Sequence, residues 1–254
     1  MSAPNPVNEK RLKPVDGWLR RLGFRLLPPR CLLCGEAGAP GRELCARCTE
    51  ELPWNRRGCT RCALPIEGAG TLCSPCQRRA PAFARLHAPL RYAYPLDRLV
   101  TRFKFGRDLA AGALLADLLG DHLADYALAF GVQRLVPVPL HAQRLRERGY
   151  NQSQELARRI APRLGLRIDA QALRRTRATE VQSGLDAKAR RQNVRGAFVG
   201  DAERVRGLHI GLIDDVVTTG ATVHECAKAL KLAGAREVSV FAVARAPARA
   251  ATAG

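Results

Sequence analysis

The chain has 254 residues, a formal charge of +19 from 42 Lys plus Arg against 23 Asp plus Glu, and nine cysteines. Hydrophobic residues at 46% and charged residues at 26% are ordinary globular values, which excludes wholesale disorder. No apolar run approaches the roughly 18 residues of a membrane helix, and residues 1–8 lack the apolar core of a secretory leader. A soluble, cytoplasmic protein without membrane insertion is therefore expected, in which cysteines bind metal rather than pair as disulfides.

Residues 1–27 read as a tail: a polar, Pro-containing stretch, then a short amphipathic helix stopped by Pro28 and Pro29. Residues 28–80 are cysteine-rich. The pairs Cys31/Cys34, Cys45/Cys48, Cys59/Cys62 and Cys73/Cys76 are all Cys-x2-Cys, and they recur at a constant interval, an internal repeat. A Cys-x2-Cys turn points two thiolates at one metal, and two such turns complete a closed tetrahedral S4 site for structural zinc. Eight ligands make two sites. The short loops between pairs favour sequential pairing, while a cross-braced arrangement of 31/34 with 59/62 also satisfies the spacing, and an iron–sulfur cluster is a weaker rival. Residues 49–52 suit the start of a short helix, and Cys226 reads as a small core residue.

Residues 84–248 alternate strand and helix signals. Strands are expected at 86–94, 134–138, 208–213 and 238–243, and helices at 96–105, 109–128, 151–164 and 222–232. Residues 174–197 are polar and basic and read as a mobile loop with one helical turn. The alternation predicts an α/β fold with a mostly parallel sheet flanked by helices behind an N-terminal zinc-ribbon module.

The sharpest functional signal is HIGLIDDVVTTGAT, residues 209–222. A buried strand leads to two acids and a small, hydroxyl-rich loop that opens a helix. Ligands of open α/β sheets bind beyond the carboxyl ends of the strands. There the N–H groups of 218–222 would face a phosphate, Gly220 would not obstruct it, and Asp214 and Asp215 could accept hydrogen bonds from vicinal hydroxyls.

This run resembles the 5-phosphoribosyl-1-pyrophosphate (PRPP) motif of type I phosphoribosyltransferases. The resemblance implies that Asp214 and Asp215 hold the ribose hydroxyls while Thr218, Thr219, Gly220, Ala221 and Thr222 wrap the 5′-phosphate. The run VPVPLHAQRLRERGYNQ, residues 136–152, behind four Cys-x2-Cys pairs, is similar to the ComF family of competence proteins over roughly residues 28–246. By that likeness Arg144, Arg148 and Lys104 contact pyrophosphate, and residues 174–195, with Gln182, Arg190, Arg191 and Asn193, form a hood over the site. Guanidinium forks suit phosphate oxygens. Residues 141–195 hold 14 basic and 5 acidic residues, a local charge of +9.

The resemblance implies two kinds of activity. One is a phosphoribosyltransferase that binds PRPP with Mg²⁺, releases pyrophosphate and transfers ribose 5-phosphate to an unidentified acceptor. The other is a non-catalytic single-stranded DNA-binding factor in DNA uptake, with other competence proteins as partners and the PRPP site as sensor or relic. Several purine-using relatives carry an Asp where this chain has Thr218, so the motif supplies no general base.

Overall fold

The structure is a computed structural model that describes residues 28–67, 70–177, 192 and 194–247. The helix expected between positions 1 and 27, and Gln182, Arg190, Arg191 and Asn193 of the hood, lie outside the described residues. The chain divides into two compact units, Met1–Thr49 and Glu50–Gly254. The cysteine region contributes two short helices, α1 (Ala46–Glu50) and α2 (Ser74–Arg78). The helix expected at 49–52 forms earlier in the chain, around Cys48.

The second unit is built on one sheet of parallel pairs. Its strands are β1 (Arg85–His87), β2 (Leu90–Arg91), β3 (Arg134–Pro137), β4 (Arg167–Ile168), β7 (His209–Val217) and β8 (Glu237–Arg245). The order is β1-β8-β7-β3-β4, with β2 also on the outer edge of β8. The remaining strands, β5 (Leu173–Arg175) and β6 (Phe198–Gly200), form a separate antiparallel pair. They bracket the basic stretch 174–197 that the sequence reads as a loop with one helical turn, and its first two residues, Arg174 and Arg175, are strand instead.

The helices are α3 (Leu96–Phe105), α4 (Leu109–Ala129), α5 (Ala142–Arg148), α6 (Gln152–Leu164), α7 (Ala202–Val205) and α8 (Ala221–Leu232). Helices α4 and α6 pack together and onto β3, β7 and β8, whereas α8 packs on β6, β7 and β8. Alternate strand residues Ile210, Leu212, Val238, Val240 and Ala242 face Val223, Cys226, Ala227 and Leu230 of α8 in one apolar cluster. Cys226 is fully buried there, as expected of a small core residue. Because helices cover both faces, β7 and β8 are buried almost throughout rather than at alternate residues.

Local chemistry sets the boundaries. Asn151 caps α6 by accepting from the Ser153 N–H, and Gly165 ends that helix with φ +62°. The strand expected over 86–94 is instead two short segments. Pro89 brings no N–H to the ladder, and its carbonyl and that of Ala88 accept from Asn55. Strand β7 runs past its expected end at Ile213 to Val217, because β8 is equally long and pairs with it through Val217↔Arg245. Among the described residues no helix is long and apolar enough to cross a membrane.

Gly211 lies in the middle of β7, where a Cβ would come within 2.8–3.0 Å of Leu135, Phe241 and Val132. Gly211→Ala is expected to overpack this face and destabilise the fold by about 1–3 kcal/mol, read as a lower urea midpoint at unchanged slope.

Candidate functional site

The eight paired cysteines form two clusters, Cys31/Cys34/Cys45/Cys48 and Cys59/Cys62/Cys73/Cys76, each with its sulfurs within 4.8 Å of one another. Pairing is therefore sequential, and the cross-braced alternative is excluded. Tetrahedral zinc with Zn–S bonds of about 2.3 Å separates its sulfurs by about 3.8 Å. Cys34 and Cys45 lie 3.8 Å apart and Cys62 and Cys73 3.5 Å apart, so both donor sets fit zinc.

The clusters repeat one another in their backbone as well as their ligands. Gly35 N–H donates to the Cys31 carbonyl just as Ala63 N–H donates to that of Cys59, and both residues have positive φ. Burial opposes ionisation of Cys31, but the backbone around Cys34, Cys45 and Leu33 outweighs it and brings the thiol down to about 6. The same balance brings Cys59 to about 7. Such thiols are readily converted to the thiolates that zinc requires.

The acid pair sits within β7, not beyond its end. Asp215 is 7% exposed, and Lys104 at the end of α3 places Nζ 3.0 Å from its Oδ1. Asp214 accepts from the Ser153 hydroxyl at 3.2 Å, in the first turn of α6, and from the Asp215 N–H at 2.9 Å. Burial first, and the neighbouring Asp215 second, push the Asp214 carboxyl up to about 7, against the opposing pull of Lys104. The Tyr150 hydroxyl donates to the Phe103 carbonyl and so ties α3 to the segment that opens α6. Lys104, assigned to pyrophosphate from sequence, thus rests on the acid pair.

After β7 the chain turns at Gly220, which has φ +79° and caps α8 without a side-chain hydrogen bond. The helix starts at Ala221, just before its expected start at Thr222. Asp214 and residues 216–223 line a narrow recess, which brings one acid and the whole hydroxyl-rich loop together. Thr218 is exposed there.

Arg144 and Arg148 lie on α5, which starts at a His141 cap. Arg148 donates to Gln152 at 3.1 Å and stacks over Phe105 at 5.3 Å. Burial, together with the charges of Arg148 and Arg175, lowers the Arg144 pKa from its ordinary value. Arg144, Arg148 and Arg175 are each half-buried, and guanidinium groups so placed suit phosphate oxygens.

Sequence reasoning did not single out Ser153, Arg175 or Arg245. Ser153 and Arg175 carry no motif of their own. Arg245 is a buried cation at the end of an apolar strand, and that mismatch is the signal that could have found it.

Two four-cysteine clusters preceding a parallel α/β domain define a double-zinc-ribbon protein, and a family model described as a double zinc ribbon domain matches residues 24–82. Relatives extend the likeness along the chain. The DNA utilization protein YhgH of Salmonella typhimurium is 36% identical over 223 residues, covering 86% of this chain and 98% of that one. Competence protein F of Haemophilus influenzae is 30% identical over 226 residues, covering 85% and 97%. The chain belongs to the ComF family of competence proteins. Among solved structures, glutamine PRPP amidotransferase from B. subtilis overlays with a TM-score of 0.36 at 23% identity, over 52% of this chain and only 26% of that chain.

The Asp214 carboxyl ionises near 7 in the fold and near 3.9 when unfolded, so the folded chain binds the extra proton between those values. Its contribution to stability is therefore greatest at low pH, falls as pH rises through about 4 to 7, and is constant above. Asp214→Asn is expected to raise Tm by about 3 °C or more at pH 8 and by much less at pH 5. Thermal melts at the two pH values check this, and equal shifts would contradict it.

Proposed function

We propose that this chain binds PRPP accompanied by Mg²⁺, can transfer ribose 5-phosphate to an acceptor, and serves DNA uptake. The observation that carries the reading is the acid pair with its Ser153 and Lys104 partners beside the 218–222 loop. Asp214 and Asp215 would accept hydrogen bonds from the ribose 2′- and 3′-hydroxyls. The N–H groups of Thr218, Thr219, Gly220, Ala221 and Thr222 would hold the 5′-phosphate at the positive end of α8. Arg144, Arg148 and Lys104 would meet the pyrophosphate, and Mg²⁺ would arrive with it, retaining several waters.

In the transfer, the bond from ribose C1 to the pyrophosphate oxygen breaks and its electron pair leaves with pyrophosphate. An acceptor lone pair forms the new bond at C1, and the acceptor proton passes to solvent or to the departing group. The protein's share is positioning and charge stabilisation, with no covalent nucleophile. Lys104 neutralises part of the diacid before ligand arrives, which limits the cost of holding two buried carboxylates side by side. The family names of the relatives, DNA utilization and competence, support the link to DNA.

A second reading, single-stranded DNA binding without turnover, has its own support. An open cavity of about 560 Å³ lies between the second cysteine cluster and β1–β2, lined by Trp54, Asn55, Arg56, His87 and His122 among others. The Trp54 and His122 rings lie 5.1 Å apart, and Arg56 is exposed beside them. An aromatic wall with a cation at the rim suits a stacked base and its phosphate.

Calorimetry with PRPP and Mg²⁺ should show binding by the wild type. The double substitution Asp214→Ala and Asp215→Ala should weaken it at least ~100-fold, since each hydrogen bond to a charged group is worth about 1.5–3 kcal/mol. Unchanged affinity would remove the site assignment. For DNA, Trp54→Ala with Arg56→Ala should lower single-strand affinity at least ~5-fold and flatten the slope of log affinity against log salt by about 0.7, one phosphate contact's worth. A slope identical to wild type would argue against the second reading.

A further inference from the structure

We propose that Arg245 is a positioning residue that couples the second cysteine cluster to the phosphate loop, so that zinc and the phosphoribosyl ligand stabilise each other's sites. This deepens the PRPP reading and rests on it.

Arg245 ends β8 opposite Val217 and is 6% exposed. A cation removed from water needs its donors satisfied. Its bonds go to main-chain carbonyls. Nε donates to Cys62 at 3.1 Å, and Nη1 donates to Val217 at 3.0 Å, to Ala246 at 2.9 Å, and to Thr218. Cys62 belongs to the second cluster, and Val217 and Thr218 open the phosphate loop. One planar guanidinium therefore spans the metal knuckle and the loop, a geometry that the single ammonium of a lysine cannot reproduce.

The orientation has a consequence for ligand binding. In a trans peptide the carbonyl and the following N–H point in opposite directions. Carbonyls of Val217 and Thr218 turned toward the guanidinium therefore aim the N–H groups of Thr218 and Thr219 away from it. Those are two of the amides that a bound phosphate would use. Donors held in place before ligand arrives spare the ordering cost of binding.

A second tie runs in parallel. The Ala82 N–H, just past the second cluster, donates to Nδ1 of His224 in the first turn of α8 at 3.1 Å. Ala63, Phe83, Val217 and Val223 share one apolar cluster, against which Cys62 is packed. Loss of the metal knuckle would deprive Arg245 of the Cys62 carbonyl and leave a buried donor unmet, which loosens the loop. Coupling free energies are reciprocal, so ligand that orders the loop must tighten the second cluster's hold on metal at equilibrium.

The test uses the full-length, zinc-loaded chain with PRPP and Mg²⁺ as the probe. Arg245→Met is expected to weaken PRPP binding at least ~10-fold by calorimetry, and Arg245→Lys to restore only part of it. In the wild type, PRPP is expected to slow alkylation of Cys62 and Cys76 under a chelator, read by mass spectrometry, and in Arg245→Met this protection is lost. If Arg245→Met does not fold, Arg245→Lys carries the test through faster amide hydrogen exchange at Thr218 and Thr219 at unchanged global stability. Wild-type PRPP affinity in the variants, unaltered exchange at those amides, or cysteine labelling indifferent to PRPP would overturn the role of Arg245 alone. Absence of PRPP binding by the wild type would instead overturn the PRPP reading, and this inference with it.

Discussion

Everything at the site depends on the parallel pairing of β7 with β8, two long strands of equal length buried on both faces. The ladder carries the chain in extended form through Asp214 and Asp215 to Val217, and only then releases it into the loop that opens α8. It thereby fixes where two carboxylates and a set of N–H groups converge, and it sets Arg245 directly opposite the start of that loop. The arrangement is costly. A carboxyl held near 7 by burial and a like-charged neighbour is a destabilised group, retained because α3 and α6 supply Lys104 and Ser153 to meet the pair.

Zinc takes the place of a core in the cysteine region. Four sulfurs per cluster, gathered by turns that reverse the chain at Gly35 and Ala63, give short loops a fixed geometry that their few apolar side chains could not impose. The two clusters share their local hydrogen bonds yet belong to different compact units, Met1–Thr49 and Glu50–Gly254. In the second unit the knuckle at Cys59 and Cys62 is continuous with the apolar cluster that holds Val217 and Val223 on either side of the 218–222 loop. The second ribbon and the α/β domain are there parts of one packed body.

Much was legible along the chain. The repeat of Cys-x2-Cys pairs announced two metal sites, the apolar run before the acid pair announced a buried strand, and the helical pattern over 151–164 marked α6. These signals are local, so one stretch of chain is enough to show them. The edges were less legible. The 86–94 segment breaks at Pro89 because Asn55, far back in the chain, claims the carbonyls around it, and β7 runs on because a strand later in the chain is long enough to match it. The residues on either side of the stretch expected to form a hood pair as β5 and β6, a contact that no local signal announces.

The sequence by itself determined the ligand chemistry: eight thiols for zinc, two adjacent acids, a small hydroxyl-rich loop and an excess of arginine. Those properties are covalent and travel with the residues wherever the chain goes. Only the tertiary structure decided the partnerships. It chose sequential over cross-braced cysteine pairing, brought Lys104 to Asp215 and Ser153 to Asp214, and stretched Arg245 between Cys62 and Thr218. These contacts join residues far apart in the chain, and no periodicity encodes them. They exist because two long strands must bury both faces, and whatever lies at their carboxyl ends is carried into contact when they do.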